Sequence, residues 1–268
     1  MIEDRNVVSL AVNLPGPLAA ARLAELGASV TKVEPPTGDP LATAAPDWYA
    51  ELTERQRVVS LDLKDSGDRA KFDELLGDAD LLVTSMRPSA LERLGLARPH
   101  ETFPQLSLIE IVGHAGGEEP GHDLNYQAVH GLLSPPEMPR VPIADMLGAE
   151  RAVSTALMAL LRRAATGTGR SYRVVLEEAA ARAGDATRYG LFGDGAVLGG
   201  AFPGYGVYRC ADGFVALGAI EPHFFARTLH VFDADGTHES LRAAFATRTA
   251  NDLETIAAQA DIPLNKVR

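Results

Sequence analysis

Cysteine is nearly missing from this chain: 268 residues contain one, Cys210. That excludes an internal disulfide framework and fits a reducing compartment. Positive charge is also scarce, with 25 Lys and Arg against 36 Asp and Glu, a net charge of −11. Such a chain is not expected to bind nucleic acid or an acidic membrane surface in general, and an anionic ligand needs a local basic patch. Long apolar runs are absent. The most apolar helical stretch, 152–161, is far too short to span a bilayer. The charged N-terminus runs straight into a strand-like segment without the pattern of a signal peptide, so the expected location is cytoplasmic.

Several motifs are missing as well. No G-x-G-x-x-G follows the first strand-like run, so a nicotinamide cofactor lacks its phosphate fingerprint. There is no Walker A lysine, no G-x-S-x-G elbow and no Cys/His cluster at zinc spacing, and no metal is expected.

What is present is the balance of a globular protein, 46% hydrophobic and 23% charged. Strand signals at 7–11, 30–33, 58–63, 81–84, 106–112 and 172–176 alternate with helix signals at 18–26, 68–76, 89–94, 123–133 and 144–163. Asn13-Leu14-Pro15-Gly16-Pro17 reads as a break between the first strand and the first helix. This alternation predicts an α/β domain around a parallel sheet. In the long helix, Met146, Leu147, Val153, Leu157 and Leu161 stand at helical spacing and form its expected apolar face. A glycine-rich stretch at 193–206 marks a change. Beyond it, two runs flank Ala211-Asp212-Gly213 as a hairpin, and helices at 222–232, 239–245 and 251–260 close the chain. The expected organisation is a large domain over 1–192 and a smaller α+β domain over 193–268.

Acid/base groups stand where strands or loops pass into helices. His122 and Asp123 open the helix after a long loop, Asp145 opens the longest helix, and Glu221 lies between Ile220 and Pro222 at a strand-to-helix junction. Taken singly, the His122-Asp123 pair and Asp145 read more readily as helix caps than as catalysts. The apolar strand end beside Glu221 predicts a partly buried carboxylate in need of a partner. Together, three such groups at three preorganised termini suit proton transfer.

These residues carry a resemblance. Gly121-His122-Asp123-Leu124-Asn125-Tyr126, Ala144-Asp145, the Tyr208 to Gly213 hairpin and Gly218-Ala219-Ile220-Glu221-Pro222 resemble the motifs of the class III CoA-transferase (CaiB/BaiF) superfamily. They are most similar to its α-methylacyl-CoA racemase branch. Pro15-Gly16-Pro17, Lys32-Val33-Glu34-Pro35-Pro36, Leu61-Asp62-Leu63-Lys64 and Arg87-Pro88 follow in the family's order.

The resemblance implies a Rossmann-like large domain, a small domain, a homodimer and an acyl-CoA thioester as substrate, with no cofactor beyond the CoA moiety. It further implies that His122 and Asp145 act as acid and base on opposite faces of the substrate α-carbon, with Glu221 supporting His122. The helix N-termini at His122 and Asp145 are expected to offer backbone N–H groups to the thioester enolate. Arg87, then Arg57 and Arg55, are the expected phosphate contacts, and Asp123 and Tyr126 join them as CoA contacts. Two alternatives stand beside the racemase: a CoA-transferase in which Asp145 forms an acyl anhydride, and a degenerate CoA-binding family member without turnover. For the last, Pro35 stands where racemases often carry an arginine, and Glu54-Arg55-Gln56-Arg57 replaces the usual Gly-Lys-Arg.

Overall fold

A computed structural model of the chain describes residues 2–268. Its elements in chain order are β1 (Asn6–Ser9), α1 (Pro15–Glu25), β2 (Ser29–Glu34), α2 (Pro40–Ala44), α3 (Pro46–Thr53), β3 (Gln56–Ser60), α4 (Ser66–Gly77) and β4 (Leu81–Thr84). There follow α5 (Pro88–Arg93), β5 (Ser107–Val112), α6 (Asp123–Val129), α7 (Ile143–Thr166), β6 (Ser171–Val175), α8 (Leu176–Ala183) and α9 (Asp185–Arg188). The chain ends with β7 (Tyr205–Cys210), β8 (Gly213–Gly218), α10 (Pro222–Phe232), α11 (His238–Ala246), α12 (Ala250–Gln259) and β9 (Leu264–Lys266). It divides into two compact units, one up to Gly184 and one from Asp185 to Arg268.

In the first unit six parallel strands lie in the order β3-β2-β1-β4-β5-β6. This is the Rossmann-like α/β sheet expected, and its order reverses between β1 and β4. Helices cover both faces, so successive side chains of a strand enter different cores. Val7, Leu81, Val83 and Ile109 pack with Ala19, Ala20 and Leu23 of α1 and with Ala152 and Ala156 of α7. Val8, Leu82 and Leu108 pack on the other face with Phe72 and Leu76 of α4 and Leu91 of α5. Each fully buried Leu or Phe contributes on the order of 1.5–3 kcal/mol of apolar transfer.

Two sequence expectations change here. The Pro15-Gly16-Pro17 break is the first turn of α1: proline costs nothing where the helix has no N–H partner anyway. On α7 the buried face only partly matches the one expected: Val153 is buried and Leu157 packs against the core, but small residues make up most of it. Ala144, Gly148, Ala149, Ala152, Val153, Ala156 and Ala159 are buried, whereas Met146 and Leu161 are 41% and 75% exposed. Small side chains let α7 approach the sheet and α1 closely. A Cβ on Gly148 would fall 2.2 Å from Leu176 Cδ2.

A buried charge cluster closes the carboxyl end of β2. Lys32 is fully buried and donates to Glu34 Oε1 at 2.5 Å and Asp39 Oδ2 at 2.7 Å. The Tyr49 hydroxyl donates to Glu34 at 2.7 Å, and burial followed by that carboxylate pushes its pKa well up. The other Asp39 oxygen accepts from Asn13 N and Leu41 N, both at 2.9 Å, and so caps α2 while holding the turn after β1.

The second unit carries the antiparallel sheet β7-β8-β9. Tyr208, Cys210, Val215 and Leu217 form its core with Phe232, Leu241, Phe245 and Leu253. Among the described residues no helix is long and apolar enough to cross a membrane.

Candidate active site

Segments leaving the carboxyl ends of β1, β4 and β5 enclose a cavity of about 590 Å³ over the point where the strand order reverses. Open parallel sheets bind ligands at this point, because adjacent loops diverge there and leave a crevice. Asn13, Met86, Arg87 and Gly113 line it, with His122, Asn125 and Tyr126 of α6 and Asp145 of α7. Two of the expected acid/base residues, from two helix N-termini, therefore share one cavity within the first unit.

His122 occupies the N-cap position of α6 in extended conformation, with φ −135° and ψ 169°. Its backbone N–H donates to Asn125 Oδ1 at 3.0 Å. This local lock fixes where the imidazole leaves the chain.

Asp145 is not the cap of α7. The N-cap position is Pro142, and Asp145 is the third helical residue. The cap comes from α6 instead: Asp123 Oδ1 accepts Ala144 N at 2.7 Å and Asp145 N at 3.2 Å. Gln127 Nε2 bonds the other Asp123 oxygen and also Val141 O, at 2.9 Å. Both Asp123 oxygens are thus engaged by protein groups, and the α7 N–H groups expected to face an enolate are taken. Burial, and then the neighbouring Asp123 charge, push the Asp145 carboxyl from an ordinary 3.8 up to about 7.

Tyr126 is buried at the cavity wall. It fits because two neighbours are glycines: a Cβ would fall 2.2 Å from its hydroxyl oxygen at Gly113 and 2.9 Å at Gly121. Burial raises the Tyr126 phenol pKa, with Asp145, Glu177 and Asp123 acting in the same direction.

The expected basic residues separate. Arg87, the N-cap residue of α5, is exposed at the cavity and makes no ion pair among the described residues. Arg57 lies near the start of β3 and lines another depression with Asn6, Ser29 and Asp78. Arg55 is exposed in the turn before β3. Glu221 belongs to the second unit, as the N-cap residue of α10. It is exposed rather than partly buried, because the strand end beside it is itself open, with Ile220 44% exposed.

Sequence reasoning missed Asn13 and Glu119, which also line the cavity. Asn13 takes φ 69°, a left-handed conformation that asparagine tolerates better than most residues. The run Asn13-Leu14-Pro15-Gly16 was the only available signal, and it reads as a turn.

A CoA-transferase family III model matches residues 2–268. The chain is 31% identical over 253 residues to the alpha subunit of succinyl-CoA–L-malate CoA-transferase from Chloroflexus aurantiacus, covering 82% of this chain and 59% of that protein. It is also 31% identical over 247 residues to the α-methylacyl-CoA racemase of Homo sapiens, covering 84% of this chain and 63% of that protein. It thus spans about three-fifths of the length of these relatives. A CaiB/BaiF family protein from Brucella suis shares the fold with a TM-score of 0.82 at 20% identity, over 99% of this chain and 83% of that one. A hypothetical protein from Mycobacterium tuberculosis does so at 0.82 and 21%, over 99% and 85%. With the family model matched from residue 2 to residue 268, the chain belongs to CoA-transferase family III.

Proposed function

We propose that this chain is an acyl-CoA racemase or epimerase that interconverts 2-methylacyl-CoA epimers. The observation that carries the reading is the meeting of His122 and Asp145 in one cavity at the sheet's reversal point. One group removes the weakly acidic α-proton, C2 becomes planar in the thioester enolate, and the other group returns a proton to the opposite face. Two bases in place do this without either crossing the substrate.

A carboxyl at about 7 suits this role. A group that accepts a proton from one epimer and donates to the other needs both forms populated near neutral pH. Arg87, with no carboxylate partner among the described residues, is free to meet a CoA phosphate at the rim. Since Asp123 occupies the N–H groups of Ala144 and Asp145, the start of α7 is closed to the enolate oxygen.

Incubation with one epimer of a 2-methylacyl-CoA in deuterium oxide tests the reading. Expected are deuterium at C2 and loss of optical purity, both removed by His122→Ala or Asp145→Ala. A folded protein that leaves C2 fully protonated sinks it.

A second reading has equal support from sequence identity, because a transferase and a racemase stand at the same 31%. Here the Asp145 carboxylate attacks the thioester carbonyl, CoA thiolate leaves, and an aspartyl anhydride carries the acyl group. Exchange of labelled CoA between two carboxylic acids, without deuterium at C2, establishes this reading in place of the first. CoA binding with neither reaction leaves a binding protein.

A further inference from the structure

Glu177, the second residue of α8, holds the start of the segment that carries His122 and stands near its end. Its backbone N–H donates to Gly113 O at 3.0 Å, and its Oε2 lies 2.6 Å from His114 Nδ1. Its Oε1 lies 3.6 Å from the buried His130 Nε2, too far for a hydrogen bond. Gly113 and His114 begin the loop after β5, and His130 is the residue on which α6 ends. The proton transfers at C2 leave these residues without a role.

The imidazole of His114 is wedged between that carboxylate and the cavity wall. It meets Tyr126 edge to face, with ring centroids 5.2 Å apart and an interplanar angle of 84°. A Cβ on Gly121 would fall 2.9 Å from His114 Nε2. A carboxylate accepts only, so the neutral ring must carry its hydrogen on Nδ1, which fixes both tautomer and ring orientation. The acid, the ring, Tyr126 and Gly121 thus form a continuous packed series that ends beside His122.

We propose that Glu177 and His114 are positioning residues of the site. The pair holds the loop after β5 and the start of α6 in register with the sheet, and so fixes the point from which His122 reaches substrate. Its kinetic consequence rests on the acyl-CoA reading above; its structural consequence does not.

The test compares the full chain with His114→Ala, Glu177→Ala, the double variant and Glu177→Gln. Hydrogen–deuterium exchange over residues 113–130 needs no turnover. Each alanine variant should speed exchange there about tenfold while β1 and β4 stay protected. The double variant should be no worse than either single, since both remove one interaction. Glu177→Gln, whose amide oxygen still accepts from Nδ1, should recover to within about threefold of the unaltered chain.

In the α-proton assay the alanine variants should lower kcat about tenfold with KM changed less than about twofold, as expected when a reacting group is displaced. Additive losses in the double variant, a Gln variant as poor as alanine, unchanged exchange, or unchanged kcat in an active enzyme would each overturn the proposal. If the unaltered chain shows no turnover in this assay, the racemase reading fails, and the exchange pattern alone decides this one. If the alanine variants do not fold, His114→Phe keeps a ring against Tyr126 without Nδ1 and must show the same losses.

Discussion

Asp123 caps the helix on which Asp145 stands. One carboxylate oxygen receives the Ala144 and Asp145 N–H groups, at 2.7 and 3.2 Å. The same charge opposes ionisation of the Asp145 side chain, second only to burial. A single acid therefore secures the helix end and adjusts the acid beside it.

Replacing it should do two separable things. Asp123→Ala should cost about 1–2 kcal/mol through the lost cap, read as a lower urea midpoint. It should also move the limb of the pH–rate profile that belongs to Asp145 toward lower pH, because a like charge is gone. A destabilised variant with an unmoved limb would show that Asp123 acts on the fold alone.

Asp145 itself should be a burden on stability near neutral pH. Its carboxyl titrates at about 7 when folded and near 3.8 otherwise, so between those values the folded chain binds more protons than the unfolded one. Stability from this group is then fully present below pH ~4 and is lost as pH rises through 7. Asp145→Asn should abolish activity, and its melting temperature should gain on the unaltered chain from pH 4 to pH 8. Parallel Tm curves would contradict this.

Arg87 and Arg57 should differ. Arg87 lines the cavity, and Arg57 lines a separate depression near the start of β3. Arg87→Gln should weaken CoA binding about tenfold, with a shallower salt dependence, and more than Arg57→Gln does. Calorimetric titration with CoA at two ionic strengths checks the order.

Lys32→Met should be severe. It leaves Glu34 and Asp39, both buried, without their cation, at a cost of about 3–5 kcal/mol. Because Asp39 also holds Asn13 N, the cavity lip should loosen with the fold. Equilibrium unfolding in urea measures the first effect, and exchange of the amides around Asn13 the second.

The parallel sheet was legible because both its faces are covered, which makes each strand a short apolar run between turn signals. Segments α2 and α3 gave no such signal: each begins at a proline, and each buries a single residue, Leu41 and Leu52. Strand β9 is too short to show alternation, and its place comes from pairing with β8. On α7 helical spacing found the helix and placed Val153 and Leu157 correctly, but not the rest of the face. Bulk suggested Met146 and Leu161, whereas close approach selected the alanines. His122, Asp145 and Arg87 were legible from motif and junction. Asp123 as the cap of α7 and Glu177 as the partner of His114 were not, since each bond joins residues far apart in sequence.

Most of the cavity wall stands on the rim of the sheet, whereas both apolar cores lie on its faces. Asn13, Met86 and Arg87 line the cavity without belonging to the buried members of either core, whereas Ile111, Tyr126 and Leu176 do both. Asn13 is restricted by its left-handed backbone and Arg87 carries the charge at the rim, so Met86, only partly buried against the second core, is the position where substitution should reshape the cavity with little loss of stability. The cavity rim can change there without disturbing the helix starts that place His122 and Asp145.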